Sequence, residues 1–332
     1  MNKIIKKERK KNMKVISLFA GAGGMDLGFI KAGHEIIWVN DNDLDSCNTY
    51  EKNLKHKPVC MDIEKVPSSE IPSGDIVIGG FPCQGFSIAN PYRNTGDKRN
   101  KLYLELLRVI KDKKPKYFVA ENVTGLCSIG GYDTKEDRKN HLGKVLKVIL
   151  EELRNAIPIG YHVEFKILNS ANFGVPQIRR RVIILGTRKD IKNILKHPNP
   201  THSKDEGGHL PKWKSVRNAI SDLPEEPTDK IPNHLGTSHQ VKINGHIGNR
   251  ATQWDKASPT IVGRGGGTGG PVIIPHPNLK RRMTVRETAR IQCFPDDFIF
   301  EGSVSSQYRQ IGNAVPWPLA YHIAKSIPIE NS

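Results

Sequence analysis

Cys83 stands in the run Gly79-Gly80-Phe81-Pro82-Cys83-Gln84-Gly85-Phe86-Ser87, directly after a proline. The ring of Pro82 fixes its own φ and biases Phe81 toward an extended backbone, which presents the Cys83 thiol at a defined angle where an apolar stretch ends. A cysteine on its own is ordinarily a small buried residue. This setting instead makes Cys83 a candidate nucleophile, reacting as the thiolate. A second apolar stretch, 116 to 123, ends on Glu121 and Asn122, and Glu121 offers a carboxyl group able to donate a proton to a reacting atom. Arg179 and Arg181 are two residues apart, so in an extended segment they share a face while Arg180 points away. That spacing suits two guanidinium groups converging on one site, and cations near Cys83 would lower its pKa.

A further set of residues suits a nucleotide-like ligand. The run VISLF (15 to 19) leads into Gly21, Gly23 and Gly24, a strand-to-helix turn where glycine permits positive φ and close approach of backbone to a ligand. The spacing is not the GxGxxG of dinucleotide sites. Asp41 follows Gly21 by twenty residues, at the end of the next apolar run, where an acidic side chain accepts hydrogen bonds from both hydroxyls of an adenosine ribose. Asp62, in CMDIE, is read as ending a third strand and accepting from an adenine amino group, a surface turn carboxylate being the alternative. No metal is expected. Seven of the twelve His lie between 189 and 282, at positions 197, 202, 209, 234, 239, 246 and 276, and those spacings match no zinc pattern.

Gly21, Asp41, Cys83 and Glu121 share one property: each stands at the end of a short apolar run. The runs 15–19, 35–40, 75–81 and 116–123 alternate with stretches of helical periodicity, such as Leu102, Leu106, Val109 and Ile110, or Val145, Leu146, Ile149, Leu150 and Leu153. Such alternation predicts a parallel sheet covered by helices, a doubly wound α/β fold in which ligands sit beyond the carboxyl ends of the strands. FKIL (165–168), Val182 to Leu185 and a last helix around Leu319 to Ile327 are available to complete the sheet and its cover. Thr284 and Glu287 form a capping-box pattern, opening a helix through about Gln292 that Pro295 stops.

The chain has 332 residues, 51 Lys plus Arg against 34 Asp plus Glu, and a formal charge of +17. Its long-range field attracts polyanions. Residues 1 to 14 carry seven Lys or Arg and one acid, which reads as a disordered basic arm. From 189 to 282 the texture changes to Pro, Gly, His and Asn, and 188 to 283 carry a net charge of +8. The expected organisation is an arm over 1–13, a catalytic and cofactor-binding domain over 14–188, a smaller irregular domain over 189–282, and a C-terminal segment, 283–332, returning to the first domain. No apolar run approaches the roughly 20 residues of a membrane span, and the basic start lacks the apolar stretch of a signal peptide. A soluble, intracellular, cytoplasmic protein is expected. Five Cys without a CxxC pair indicate reduced thiols.

FAGAGG, GGFPCQGFS, AENV, the run Gln177-Ile178-Arg179-Arg180-Arg181, RETARIQCFPD and GNAVP occur in the order found in DNA (cytosine-5) methyltransferases, and the chain resembles that family from Val15 to Val182 and from Met283 to Ala324. The segment between lies where the family carries its variable target-recognition domain. The resemblance implies a doubly wound, Rossmann-like methyltransferase sheet and S-adenosylmethionine as cofactor. It implies that Cys83 adds to carbon 6 of cytosine, that Glu121 protonates or hydrogen-bonds ring nitrogen 3, and that Asn122 orients that carboxyl or its loop. Arg181 would contact the target cytosine, with Arg179 nearby on the base or its phosphate. Asn313 would face the methionine part of the cofactor and Phe19 its adenine or sulfonium side, with Pro82 counted among the cofactor-binding residues.

A base inside a duplex hides carbon 6, so the cytosine must be extruded. The loop from Ser87 to Lys101, with Gln84, Ser87 and Arg99, reads as a closure over DNA. In the glycine-rich run 263–270, Arg264 is placed to read a guanine edge, and Arg250, Gln253 and Trp254 are further candidates. The implied partners are double-stranded DNA and a companion restriction endonuclease, with a monomeric, bacterial, nucleoid-associated enzyme and no membrane. Competing readings keep the chemistry on transfer RNA, or make the chain an inactive DNA-binding relative, which intact Cys83, Glu121 and Asn313 oppose. A dinucleotide oxidoreductase would need the GxGxxG turn that is lacking.

Overall fold

In the computed structural model the apolar runs become strands of one sheet. The structure describes residues 12–81, 102–205, 208–235, 252–263, 275–278 and 281–328. The strands are β1 (Lys14–Leu18), β2 (Glu35–Asp41), β3 (Val59–Cys60), β4 (Ile76–Gly80), β5 (Tyr117–Val123), β6 (Tyr161–Asn169) and β7 (Arg180–Arg188). The helices among the described residues are α1 (Gly24–Ala32), α2 (Leu44–Leu54), α3 (Leu102–Lys113), α4 (Lys135–Lys139), α5 (Lys144–Arg154), α6 (Val216–Ile220), α7 (Val285–Ile291), α8 (Val304–Asn313) and α9 (Trp317–Lys325).

The sheet order is β3-β2-β1-β4-β5-β7-β6. The neighbours from β3 to β5 pair in parallel, as the alternation of runs predicts. β7 departs from that pattern: it pairs antiparallel to both β5 and β6, because it returns directly from β6 by a short connection in place of a crossover helix. The order reverses between β1 and β4, which makes their carboxyl ends the switch point where such sheets hold ligands.

Alternation along each strand divides the core. Ile16, Leu18, Val77, Phe118 and Ile184 face the apolar stripes of α3 and α5, including Leu106, Ile110, Leu146 and Leu150. Val15, Ile76, Ile78, Val119 and Ile183 face α1 and α9 through Phe29, Leu319 and Ile323. The contact between α1 and α9 needs Gly28, since a Cβ there would stand 2.5 Å from that of Ala320. A third core joins Val216, Ile220 and Ile261 of the middle segment to Val285, Ile291, Phe294, Phe298, Phe300 and Ile311 near the C-terminus. The capping box of α7 forms as its sequence predicts, Thr284 accepting from Glu287 N–H and Glu287 from Thr284 N–H. No helix among the described residues is long and apolar enough to cross a membrane.

Candidate active site

A cleft of about 680 Å³ opens at the carboxyl ends of β1, β2, β4 and β5. The turn after β1 forms one wall. Phe19 takes φ 54°, and Gly21 and Gly23 take 54° and 86°, so the chain reverses tightly before α1. Gly21 N–H donates to Asp41 Oδ2 at 2.7 Å and Asp43 N–H to Asp41 Oδ1 at 2.9 Å. Asp41 therefore fixes the turns after both β1 and β2. Burial raises its pKa above the ordinary carboxylate value, opposed by these two N–H groups.

Gly23 and Gly24 stand behind this wall and do not line the cleft. A Cβ on Gly23 would lie 2.5 Å from Leu54 and 2.8 Å from Tyr50, and one on Gly24 would lie 2.5 Å from the carbonyl oxygen of Val315. Below them Asp26 is fully buried and accepts from the Tyr50 hydroxyl at 2.9 Å. Burial pushes the Asp26 pKa up to about 6. Asp62 follows β3 by two residues and caps a 3-10 turn over Ile63–Lys65, accepting from Glu64 N–H at 3.1 Å. Its carboxyl lies at the cleft beside Met61.

The opposite wall carries the charged residues. Glu121 lies two residues before the end of β5, and its Oε1 meets Arg181 Nε at 2.8 Å, both side chains about one-tenth exposed. Gly80 leaves room for the other oxygen: a Cβ there would lie 3.0 Å from Glu121 Oε2. Asn122 is buried and donates from Nδ2 to the Phe81 carbonyl at 2.9 Å, while its Oδ1 accepts from Val123 N–H at 2.8 Å. It thereby ties the end of β5 to the residue that precedes Pro82 and Cys83.

Arg179 lies outside β7, fully buried, and lines the same cleft. Its Nη1 donates to the Ile261 carbonyl at 2.7 Å and its Nη2 to that of Gly312 at 2.9 Å. Asn313, exposed at the end of α8, and Val262 and Gly263 complete the lining.

One cleft thus gathers Phe19, Gly21, Asp41, Asp62, Glu121, Asn122, Arg179, Arg181 and Asn313. Pro82, Cys83, Gln84, Ser87, Arg99, Arg250 and Arg264 lie outside the described residues. Sequence reasoning assigned no role to Gly80, Asp26, Gln177 or Gln292. Gln177 and Gln292 are both wholly buried and meet at 3.0 Å, Gln177 Nε2 donating to Gln292 Oε1 across 115 positions. Nothing local in the sequence pairs them. Among the described residues no cluster of His, Cys, Asp or Glu could hold a metal ion.

The family model of the C-5 cytosine-specific DNA methylases matches residues 13–264 and 249–328. The type II methyltransferase M.NgoFVII of Neisseria gonorrhoeae is 37% identical over 338 residues, covering 95% of this chain and 86% of its own length. M.FnuDI of Fusobacterium nucleatum, also a type II methyltransferase, is 38% identical over 338 residues, covering 95% and 94%. Among solved structures, the Dnmt2 methyltransferase of S. pombe superposes with a TM-score of 0.66 at 19% identity, covering 95% of this chain and 98% of that one. The Entamoeba histolytica methyltransferase EhMeth gives the same values; at that identity the likeness is one of fold.

Proposed function

Because this chain belongs to the C-5 cytosine-specific DNA methylase family, we infer that the cleft transfers a methyl group from S-adenosylmethionine to carbon 5 of a cytosine extruded from duplex DNA. The observation that carries this reading is the Glu121–Arg181 pair at 2.8 Å, next along β5 to the Asn122–Phe81 tether that leads into Pro82 and Cys83.

The donor set fits the cofactor. Asp41 accepts backbone N–H groups from Gly21 and Asp43, and a carboxylate has about four lone-pair sites, so it has capacity for a ribose hydroxyl besides. Asp62 is assigned to the adenine amino group, Phe19 to the face of the ligand, and Asn313 to its methionine end. When bound, S-adenosylmethionine supplies an electrophilic methyl group.

Cys83 is assigned as the nucleophile that bonds to carbon 6, which makes carbon 5 electron-rich. Glu121 holds a proton at ring nitrogen 3, so charge arriving from the thiolate is neutralised as it develops. Arg181, already in contact with Glu121, keeps that carboxyl aimed and contacts the base. Loss of the carbon 5 proton lets the Cys83 sulfur leave and frees the product. Asn122 positions the loop that bears Cys83. Gln84, Ser87, Arg99, Arg250 and Arg264 are assigned to DNA, Arg264 to a guanine edge. The likeness to type II methyltransferases supports a bacterial enzyme whose marks shield DNA from a companion endonuclease, and one recognition segment per catalytic unit suits a monomer.

Incubation with methyl-labelled S-adenosylmethionine and mixed-sequence duplex, alongside transfer RNA, tests the reading. Label in 5-methylcytosine at one short DNA motif is expected. Label confined to RNA, or none despite bound cofactor, would overturn it.

A further inference from the structure

Three separated stretches of chain meet at Arg179: the stretch before β7, the end of the middle segment at Ile261–Gly263, and Gly312–Asn313, the last turn of α8, which lines the cleft. Their approach is closer than any side chain permits. A Cβ on Gly312 would stand 2.3 Å from the Val262 carbonyl carbon, and one on Gly263 would stand 2.1 Å from Asn313 Oδ1. Across this seam the fork of Arg179 holds the Ile261 and Gly312 carbonyls together.

A second bridge runs beside it. Ile261 N–H donates to Gln177 Oε1 at 2.9 Å, Gln177 Nε2 to Gln292 Oε1 at 3.0 Å, and Gln292 Nε2 to the Ile311 carbonyl at 2.6 Å. Both peptide groups of the seam, 261 and 311–312, are thereby fixed by buried side chains, while Arg179 Nε is buried with no hydrogen-bond partner among the described residues. The guanidinium of Arg179 makes no ion pair within this bridge. Burial and the nearby Arg181 push its pKa down, and Glu121 supports its charge from a distance.

We infer that Arg179 is a positioning residue that locks the Ile261–Gly263 segment to the Gly312–Asn313 turn, so that cofactor bound on one side of the seam stiffens the recognition segment on the other. This rests on the cofactor assignment made above. The family resemblance implied Arg179 on the base or its phosphate; its two terminal nitrogens each donate to a backbone carbonyl. The consequence is a thermodynamic coupling: whatever orders the turn also orders the stretch that runs into Arg264, and the reverse holds equally.

Hydrogen exchange on the full chain, with and without S-adenosylhomocysteine, reads this directly. In the wild type, the ligand should slow exchange across 258–263 by about fivefold or more. In Arg179→Lys a compact, shorter-reaching ammonium replaces the planar two-pronged fork, and this protection should vanish while calorimetry still shows ligand binding. Gly312→Ala, which forces the same seam apart while keeping the Arg179 side chain itself, should give the same loss and covers the case in which Arg179→Lys fails to fold. Retained protection in either folded variant overturns the inference, as does a wild type that binds the ligand with no change at 258–263. A wild type that does not bind S-adenosylhomocysteine would instead overturn the cofactor assignment, and this inference with it.

Discussion

Glu121 and Arg181 lie side by side because β5 and β7 pair antiparallel, with Val123 opposite Arg181 and Glu121 opposite Ile183. The types of both residues were legible in the sequence, since each follows or opens an apolar run; their contact was not, because it depends on a strand reversal that no local pattern encodes. If Glu121 manages the proton at ring nitrogen 3, Glu121→Gln should lower kcat by roughly a hundred- to ten-thousand-fold. S-adenosylhomocysteine affinity, measured by calorimetry, should stay within a few-fold, and loss of ligand binding instead would place Glu121 in the cofactor site. Asp26 was invisible as anything but an acid in the first turn of a helix, since burial beneath Gly23 and Tyr50 is a tertiary fact. Its folded pKa of about 6 lies above the unfolded value of 3.8, so the folded state binds the extra proton and stability is lost as pH rises from about 4 to about 6. Above that range the deficit is on the order of 2–3 kcal/mol. Asp26→Asn should therefore gain Tm relative to wild type at pH 7.5 and gain much less at pH 4.5; an equal change at both would deny the raised pKa.

At the scale of elements, the sequence exposed β1, β2, β4 and β5 almost to the residue, because buried parallel strands are continuous apolar runs bounded by polar turns. It exposed α3 and α5 through their apolar stripes. β3 spans two residues, too short for periodicity to signal, and the orientation of β7 follows from the length of its connection and not from its composition. The glycine-rich turn was legible as a turn, but its reason was not. Sequence suggests glycines for the ligand, whereas Gly23 and Gly24 make way for α2 and for the segment at Val315. Gly24→Ala should push that returning segment outward, costing about 1–3 kcal/mol of stability and weakening S-adenosylhomocysteine binding about tenfold through Asn313. Calorimetry and thermal melting of the same variant check both; unchanged affinity would show that the Asn313 turn does not contact cofactor.

Over the whole molecule, a charge of +17 coexists with a cleft lined by Asp26, Asp41, Asp43, Asp62 and Glu121. The surplus of basic groups lies elsewhere in the chain, and six of them, Lys3, Lys6, Lys7, Arg9, Lys10 and Lys11, precede β1. Replacing these six with Ser should weaken DNA binding equally on all sequences and flatten the salt dependence by about 0.9 logarithmic unit for each phosphate no longer neutralised. Filter binding across a salt series checks it, and a changed methylation motif would give the arm a role in readout. Charge and composition pointed to a nucleic-acid partner and set the middle segment apart by its texture. The core that Val216, Ile220 and Ile261 share with α7 and α8, and the seam at Arg179, were not, because each joins parts of the chain that local patterns cannot relate; Arg179 and Ile261 alone are 82 positions apart.

Covalent attack by Cys83 is tested most directly on a duplex carrying the mapped motif with 5-fluorocytosine at the target. Fluorine cannot leave carbon 5 as a cation, so elimination is blocked and the sulfur–carbon bond persists. With S-adenosylmethionine present, the wild-type chain should migrate with the DNA through a denaturing gel, and Cys83→Ala, which still binds the duplex, should not. A denaturant-resistant complex in Cys83→Ala, or none in an active wild type, would contradict nucleophilic catalysis at Cys83.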